Sequence, residues 1–248
     1  MSDAQTEEIS SDDVADIKRF YDDVYHQHAG QSPQRPNAHL LRLHKKLGIA
    51  AGNHVLDVAC GAGEWLQVCS GKGSQVAGVD LSSKAINVCR ERIPNGVFFD
   101  QPAEQLPFAD NTFDVVTCLG SLEHFVDPQT SLREMVRVAK ADAIFCILVP
   151  NADFLTRKIG LFQGTYQVAA KEVVRTLDEW NSLFASSGLH VDRRWRDLHV
   201  ISRAWITQGS PLLWPVRAAQ ALALAIWPLR WQYQVYHQCT ATKAADAR

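Results

Sequence analysis

An α/β fold built on a mostly parallel sheet is predicted by three observations. Short apolar runs at 54–59, 75–80, 97–100, 114–119 and 143–149 alternate with segments of helical periodicity, the pattern of strands joined by right-handed helical crossovers. The first run carries an acid, Asp57, and breaks into a turn containing Gly61 and Gly63 before a helical stretch. The second run ends in another acid, Asp80. A strand, a glycine turn, a helix and a second strand ending in an acid make a βαβ unit whose carboxyl rim suits a nucleoside, with Asp80 placed to accept both ribose hydroxyls.

The acid before the glycines narrows the ligand. A dinucleotide site needs a third glycine at position 66 so that a helix can approach the pyrophosphate, and that position is Leu66. Asp57 would repel a pyrophosphate, whereas a nucleoside bearing a cationic group fits it. S-adenosyl-L-methionine, with an ammonium and a sulfonium, is such a ligand.

The elements follow in order. Residues 1–13 are polar and acidic, read as disordered, and lack the basic start and apolar centre of a secretory signal. Val14, Ile17, Tyr21 and Val24 at helical spacing predict an amphipathic helix to about His26, broken by Gly30 to Pro36. A helix from Asn37 presents Leu40, Leu43 and Leu47 on one face and stops before Gly48. Ser82 and Ser83 stand where a helix cap is needed after Asp80. Thr176-Leu177-Asp178-Glu179 is a capping box opening a helix that ends at Gly188, with a sixth strand from His190 to about Asp197. A seventh is read at Trp231 to Cys239.

Between the last two strands, residues 199–230 form an insertion. Its apolar centre, Val216 to Trp227, is interrupted by Arg217 and Gln220 and bracketed by Pro215 and Pro228, far short of the ~20 apolar residues that span a bilayer. A packed substrate lid or a subunit contact is the preferred reading, with contact to an acyl substrate or a membrane surface as the alternative. Trp180, Trp195, Trp205 and Trp214 are read as mostly core.

Composition sets bounds. With 248 residues and 46% apolar content the chain can bury one α/β core, residues 1–248 as one domain with elaborations. A formal charge of −2 supplies no general attraction to nucleic acid or an anionic surface. The six cysteines form no C-x-x-C pair and several fall in apolar strands, which suggests a reduced, cytoplasmic protein without a metal site.

In the order and spacing of Leu56 to Gly63, Gly78-Val79-Asp80, Ala103 to Asp114, Ser121 to Pro128 and the apolar strand before Pro150-Asn151, the sequence closely resembles the class I S-adenosylmethionine-dependent methyltransferases. The likeness is to the small-molecule group that includes quinone, sterol and natural-product methyltransferases, and it covers roughly residues 38–150. It implies a Rossmann-like, seven-stranded, mostly parallel sheet with an antiparallel last strand, helices on both faces and an amino-terminal helical lid at 14–36. It implies a cofactor site at Tyr21, Asp57, Ala59, Cys60, Gly61, Gly63, Asp80, Leu81, Pro102, Ala103, Glu104, Leu119, Gly120 and Ser121. By the same resemblance Tyr25 would pair with Tyr21 on the lid, and Leu119, Gly120 and Ser121 would lie beside the sulfonium. Ala59 replaces the family's first glycine, a mild change in bulk. Pro102-Ala103 replaces the usual Asp-Ala pair, so the adenine amine needs another acceptor, Glu104 or Asp100.

Methyl transfer from a sulfonium is an in-line displacement that needs positioning, exclusion of water and, for a hydroxyl nucleophile, a base. His124, after the fourth strand, is the first candidate base and His199 the second, imidazole titrating near neutrality. The acceptor is read as a small molecule, apolar or aromatic, methylated on oxygen and lipid-like, quinone-like, polyketide or sugar in kind. Nitrogen, sulfur and carbon nucleophiles stay open. So does a non-catalytic, cofactor-binding regulatory role, while a dehydrogenase lacks its third glycine and its Tyr-x-x-x-Lys. Neither an Asn-Pro-Pro-Tyr motif nor a basic stripe points to nucleic acid. A monomer or homodimer without a spanning segment, able to touch a membrane peripherally, completes the expectation.

Overall fold

A computed structural model describes residues 38–158, 172–199, 206–207 and 210–242. The polar head, the helix at 14–26 with Tyr21 and Tyr25, the break at Gly30 to Pro36, and Trp205 lie outside the described residues.

Seven strands form one sheet: β1 His54–Val58, β2 Gln75–Val79, β3 Val97–Phe99, β4 Phe113–Leu119, β5 Ala139–Pro150, β6 Leu189–Arg196 and β7 Gln234–Ala241. Their spatial order is β3-β2-β1-β4-β5-β7-β6. Pairs from β3 to β5 are parallel, and β7 runs antiparallel between β5 and β6. The order reverses at β1 and β4, and the crevice outside the carboxyl ends of these two strands is where ligands bind in such sheets.

Besides a single turn at Leu155–Lys158, the helices among the described residues are α1 Ala38–Leu47, α2 Glu64–Ser70, α3 Ser83–Arg92, α4 Pro128–Val138, α5 Leu177–Ser186 and α6 Trp214–Ile226. Helix α1 buries Leu43 and Leu47 as its spacing predicts, and Leu40 packs beside them. Ser82 caps α3 by accepting the Ala85 amide at 3.1 Å. The capping box on α5 is complete, with the Glu179 amide donating to Thr176 Oγ1 at 3.3 Å and the Thr176 amide to Glu179 Oε2 at 2.7 Å. Gly188, at φ 86°, ends that segment as a left-handed residue.

Two apolar layers sandwich the sheet. One gathers Leu56, Val116, Phe145, Ile147, Trp180 and Phe184, the other Leu43, Trp65, Leu66, Val115, Leu148 and Tyr236. All six cysteines are buried free thiols, three of them (Cys118, Cys146 and Cys239) in strands, Cys69 and Cys89 in helices and Cys60 in the turn after β1.

Three expectations need correction. Strand β5 begins at Ala139, directly after α4, with a register shift between Phe113 and Val115 that carries it past Lys140 and Asp142. Strand β7 begins at Gln234, because Leu229–Trp231 form a single 3₁₀ turn instead of the strand's start. Trp214 is 38% exposed, and Leu212, Val216, Leu222 and Ile226 are exposed beyond 60%, leaving Ala221 as the buried residue of α6. Among the described residues, helix α6 of the insertion is therefore largely exposed. Its carboxyl end is nonetheless tied down. Gln232 Nε2 donates to the carbonyls of Leu224 at 2.7 Å and Trp227 at 3.1 Å, Asn151 Nδ2 donates to those of Arg230 and Gln232, and Arg196 donates to Ala225. Asn151 follows β5, so these bonds hold the end of the insertion at the carboxyl edge of the sheet. No helix among the described residues is long and apolar enough to cross a membrane.

Candidate active site

The turn after β1 is built by residues in the left-handed region, Ala59 at φ 60°, Gly61 at 51° and Gly63 at 77°. Ala59 differs from a glycine mainly through this conformation and not through bulk, since a left-handed L-residue costs about 1–2 kcal/mol. A Cβ on Gly63 would meet Cys89 Sγ of α3 at 2.8 Å, so that glycine lets α3 pack against the turn. The turn is closed by the Cys60 amide donating to Val79 O at 3.0 Å and the Gly63 amide to Cys60 O at 3.0 Å.

Asp80 organises this rim. Its Oδ2 accepts the Gly61 amide at 2.8 Å and its Oδ1 the Ser82 amide at 2.9 Å. It thereby joins the glycine turn to the start of α3, where Leu81 lies half-buried. The cap on α3 is Ser82, so Asp80 is left to the rim.

Asp57 is 3% exposed, and its Oδ1 accepts the Thr117 hydroxyl at 2.6 Å. Trp65 Nε1 donates to Thr117 Oγ1 at 3.0 Å, completing a chain from indole to hydroxyl to carboxylate. Burial pushes the Asp57 carboxyl up to about 7 against the pull of Thr117, and the nearby Asp80 charge adds to the rise. Two acids share the rim, and a cationic ligand would relieve both the desolvation and their repulsion. Thr117 and Trp65 escaped the sequence reading, because nothing local marks a mid-strand threonine as the partner of an acid 60 residues earlier.

On the other side of β1, Ala103 is buried and Pro102 half-buried in a loop fastened to α4. Arg137 donates to Leu106 O and Phe108 O at 2.9 Å each, and the Leu106 amide donates to Glu134 Oε2 at 2.9 Å. Glu104 Oε1 accepts the Asp127 amide at 3.2 Å, and Asp100 Oδ2 the Ser83 hydroxyl at 2.8 Å. Leu119, Gly120 and Ser121 end β4 half-buried, with Gly120 at φ 78° and its amide donating to Leu148 O at 2.9 Å.

The two histidines stand in different settings. His124 closes a 3₁₀ turn after β4, and its Nδ1 is buried with no hydrogen-bond partner. Burial lowers its pKa, opposed by the charge of Glu172, so the ring is neutral at pH 7. Beside it Glu123 is 4% exposed, its Oε2 also lacks a partner, and burial pushes its carboxyl up to about 7. The phenol of Tyr233 is raised to about 12 by burial, with the Glu172 and Glu123 charges adding. His199 is the opposite case. Its side chain is 50% exposed, and Nδ1 bonds Oδ2 of Asp197, whose side chain is 5% exposed. That bond raises the His199 pKa. Glu123, Glu172, Tyr233 and Asp197 were missed by the sequence reading. The acid of Asp197-x-His199 was the one local signal available. Among the described residues no group of three or more His, Cys, Asp or Glu side chains could hold a metal ion.

A reversed parallel sheet with a glycine turn and two rim acids at its switch point defines a nucleoside-binding α/β protein. The chain matches the family model described as a methyltransferase domain over residues 56–147, which spans the turn, both rim acids and β4. It is 29% identical over 217 residues to the ubiquinone biosynthesis O-methyltransferase of Hahella chejuensis, covering 83% of this chain and 89% of that relative. To a demethylmenaquinone methyltransferase of Staphylococcus aureus it is 36% identical over 152 residues, 59% of this chain, and it spans only 60% of that relative's length. A chain of the complex between the Haloferax volcanii Trm112 methyltransferase activator and a methyltransferase superposes with TM-score 0.68 at 18% identity, covering 91% of this chain and 97% of that one, a likeness of fold. Residues 56–147 carry a methyltransferase domain of the S-adenosylmethionine-dependent kind, whose cofactor is S-adenosyl-L-methionine.

Proposed function

We propose that the enzyme methylates an oxygen of a small, apolar or aromatic acceptor of the quinone-like kind. The observation that carries this reading is the presence of two imidazoles, His124 and His199, in the segments that leave the carboxyl ends of β4 and β6. A hydroxyl nucleophile needs such a proton acceptor, whereas an amine or a thiol with a lower pKa needs it less. Similarity to the Hahella chejuensis O-methyltransferase supports both the atom and the acceptor class. Similarity to the demethylmenaquinone methyltransferase favours a carbon of a quinone ring as the second reading.

The cofactor supplies an activated methyl group on sulfur. Within this reading the chain's residues hold and orient it. Asp57 faces a cationic group, Asp80 adds the ribose hydroxyls to the two amides it already accepts, and Ala103 with the loop pinned by Arg137 packs the adenine, for which Glu104 or Asp100 is the acceptor. Cys60, Gly61 and Gly63 bring backbone close to the ligand, Leu81 packs beside the ribose, and Leu119, Gly120 and Ser121 flank the sulfonium. The apolar faces of 212–226, tied to the carboxyl edge through Asn151 and Gln232, suit an acceptor with an apolar body and allow peripheral contact with lipid.

The test is transfer of a labelled methyl group to a panel of catechol, hydroquinone, aniline, thiophenol and a methyl-accepting naphthoquinol. Label on oxygen is expected. Label confined to nitrogen, sulfur or carbon would overturn the reading.

A further inference from the structure

Asp197 holds two imidazoles. One carboxylate oxygen, Oδ1, lies 3.2 Å from His39 Nε2, and the other bonds His199 Nδ1, while the His199 backbone amide donates to Oδ1 at 3.1 Å. His39 Nε2 is also 2.9 Å from Tyr236 Oη. The four residues come from the start of α1, the end of β6 and the middle of β7, and the His39 and His199 rings meet edge to face at 6.5 Å. Trp195 stacks on Tyr236 at 5.4 Å and 12°, with Lys46 Nζ 4.6 Å from the Trp195 centroid, so the group rests on an aromatic wall.

The group lies near the end of β4, where the proposed reading puts the methyl donor. Tyr236 pairs with Leu148 of β5, and Leu148 with Leu119 of β4, so two strand spacings, about 10 Å, separate Tyr236 from the end of β4. The Asp197 amide donates to Gln234 O at 3.2 Å, and the Gln234 side-chain nitrogen lies 3.8 Å from where a Cβ on Gly120 would stand. An acceptor ring between the donor methyl group and His199 would fill this interval.

An ionised carboxylate only accepts hydrogen bonds, so the His199 proton sits on Nδ1 and its Nε2 carries the lone pair. Half of the His199 side chain is exposed, so the ring can be met by a ligand. We infer that Asp197 and His199 are the acid-histidine pair that takes the proton from the acceptor hydroxyl, with His39 and Tyr236 as positioning residues for Asp197. The inference rests on the oxygen-methylation reading. In the step it names, His199 Nε2 takes the hydroxyl proton, the oxygen forms a bond to the methyl carbon, and the carbon–sulfur bond breaks with its electron pair left on sulfur.

The charged and titratable neighbours bear on the pH at which this works. Burial lowers His39, with the positive charges of His199 and Arg42 adding to that and Asp197 opposing it, so His39 is neutral when His199 titrates. Asp197 raises His199 above 6.5. Activity should therefore rise with pH through a value above 6.5 and then level.

The experiment measures kcat/KM against pH for methylation of catechol by wild type, His199→Gln, Asp197→Asn, Tyr236→Phe and His124→Gln, with demethylated-cofactor affinity and melting temperature for each. Loss of 10²-fold or more in His199→Gln with unchanged cofactor affinity, and an acid limb moved to lower pH in Asp197→Asn, are expected. Tyr236→Phe should lose a few-fold in kcat with little change in cofactor affinity. If His199→Gln retains wild-type turnover and pH profile while His124→Gln loses them, the pair is structural and oxygen methylation still stands. If wild type binds the demethylated cofactor but methylates no oxygen acceptor among catechols, hydroquinones and phenols, the oxygen reading fails and the inference with it.

Discussion

Replacing Asp57 with asparagine should make the ligand-free enzyme more stable and the cofactor complex weaker. The carboxyl has a pKa of about 7 in the fold against 3.8 ordinarily, raised first by burial. Below pH 3.8 it is protonated in both folded and unfolded chains and costs nothing. Between about 4 and 7 the folded state keeps a proton that the unfolded state has lost, so stability falls as pH rises, and above 7 the loss is complete and constant. At ~1.36 kcal/mol per pH unit, the cost of ionised Asp57 is at most about 4 kcal/mol. An amide keeps an oxygen for the Thr117 hydroxyl and removes both the buried charge and its repulsion with Asp80. Urea unfolding of Asp57→Asn should show a gain of up to that size at pH 8 and none at pH 4. Calorimetry at pH 8 should show cofactor affinity reduced by about 1.5–3 kcal/mol, the range for a hydrogen bond to a charged group. Wild-type affinity should rise with pH up to about 7, that of the variant staying flat. A variant that is less stable at pH 8 and binds the cofactor as well as wild type would refute the argument.

Asp80→Ala strands the amides of Gly61 and Ser82, so it should lower both the melting temperature and cofactor affinity, the latter by about 1.5–3 kcal/mol in a calorimetric titration. Ala59→Gly should raise stability by about 0.5–1 kcal/mol in chemical denaturation, the left-handed strain exceeding the entropy that glycine adds to the unfolded chain. Thr176→Ala should cost about 1 kcal/mol through loss of the capping box on α5 and leave turnover unchanged, as thermal melts and a methylation assay would show.

The sheet was legible because its strands announce themselves locally. Val55 to Val58, Val76 to Val79 and Val115 to Leu119 are apolar runs interrupted by Asp57 and Thr117 alone, as strands buried on both faces require. The first residues of β5 were not, since Ala139-Lys140-Ala141-Asp142 has no apolar run and is drawn into the sheet by pairing with Phe113. Trp231 to Tyr233 mimic a strand by alternation, yet the backbone turns there to reach Asn151. Within the site, Asp57, Gly61 and Asp80 could be read because a turn and a spacing fix them. The bond between His39 and Tyr236 spans 197 positions of sequence, and only the closure of the sheet brings them together.

The antiparallel β7 has a consequence for how such an enzyme diversifies. Since β7 enters the sheet between β5 and β6, the chain leaves β6 and returns along β7 at the same end, so residues 197–233 form one hairpin connection at the edge where the rim acids lie. A connection of this kind can lengthen, shorten or be exchanged while every strand register stays as it is, because loop closure costs only about 0.6 kcal/mol per doubling of length. The cofactor rim, made by β1, β2 and β4 on the other half of the sheet, would be untouched by such a graft. On the proposed reading, the topology separates the half of the molecule that must stay constant from the half in which a new acceptor can be tried.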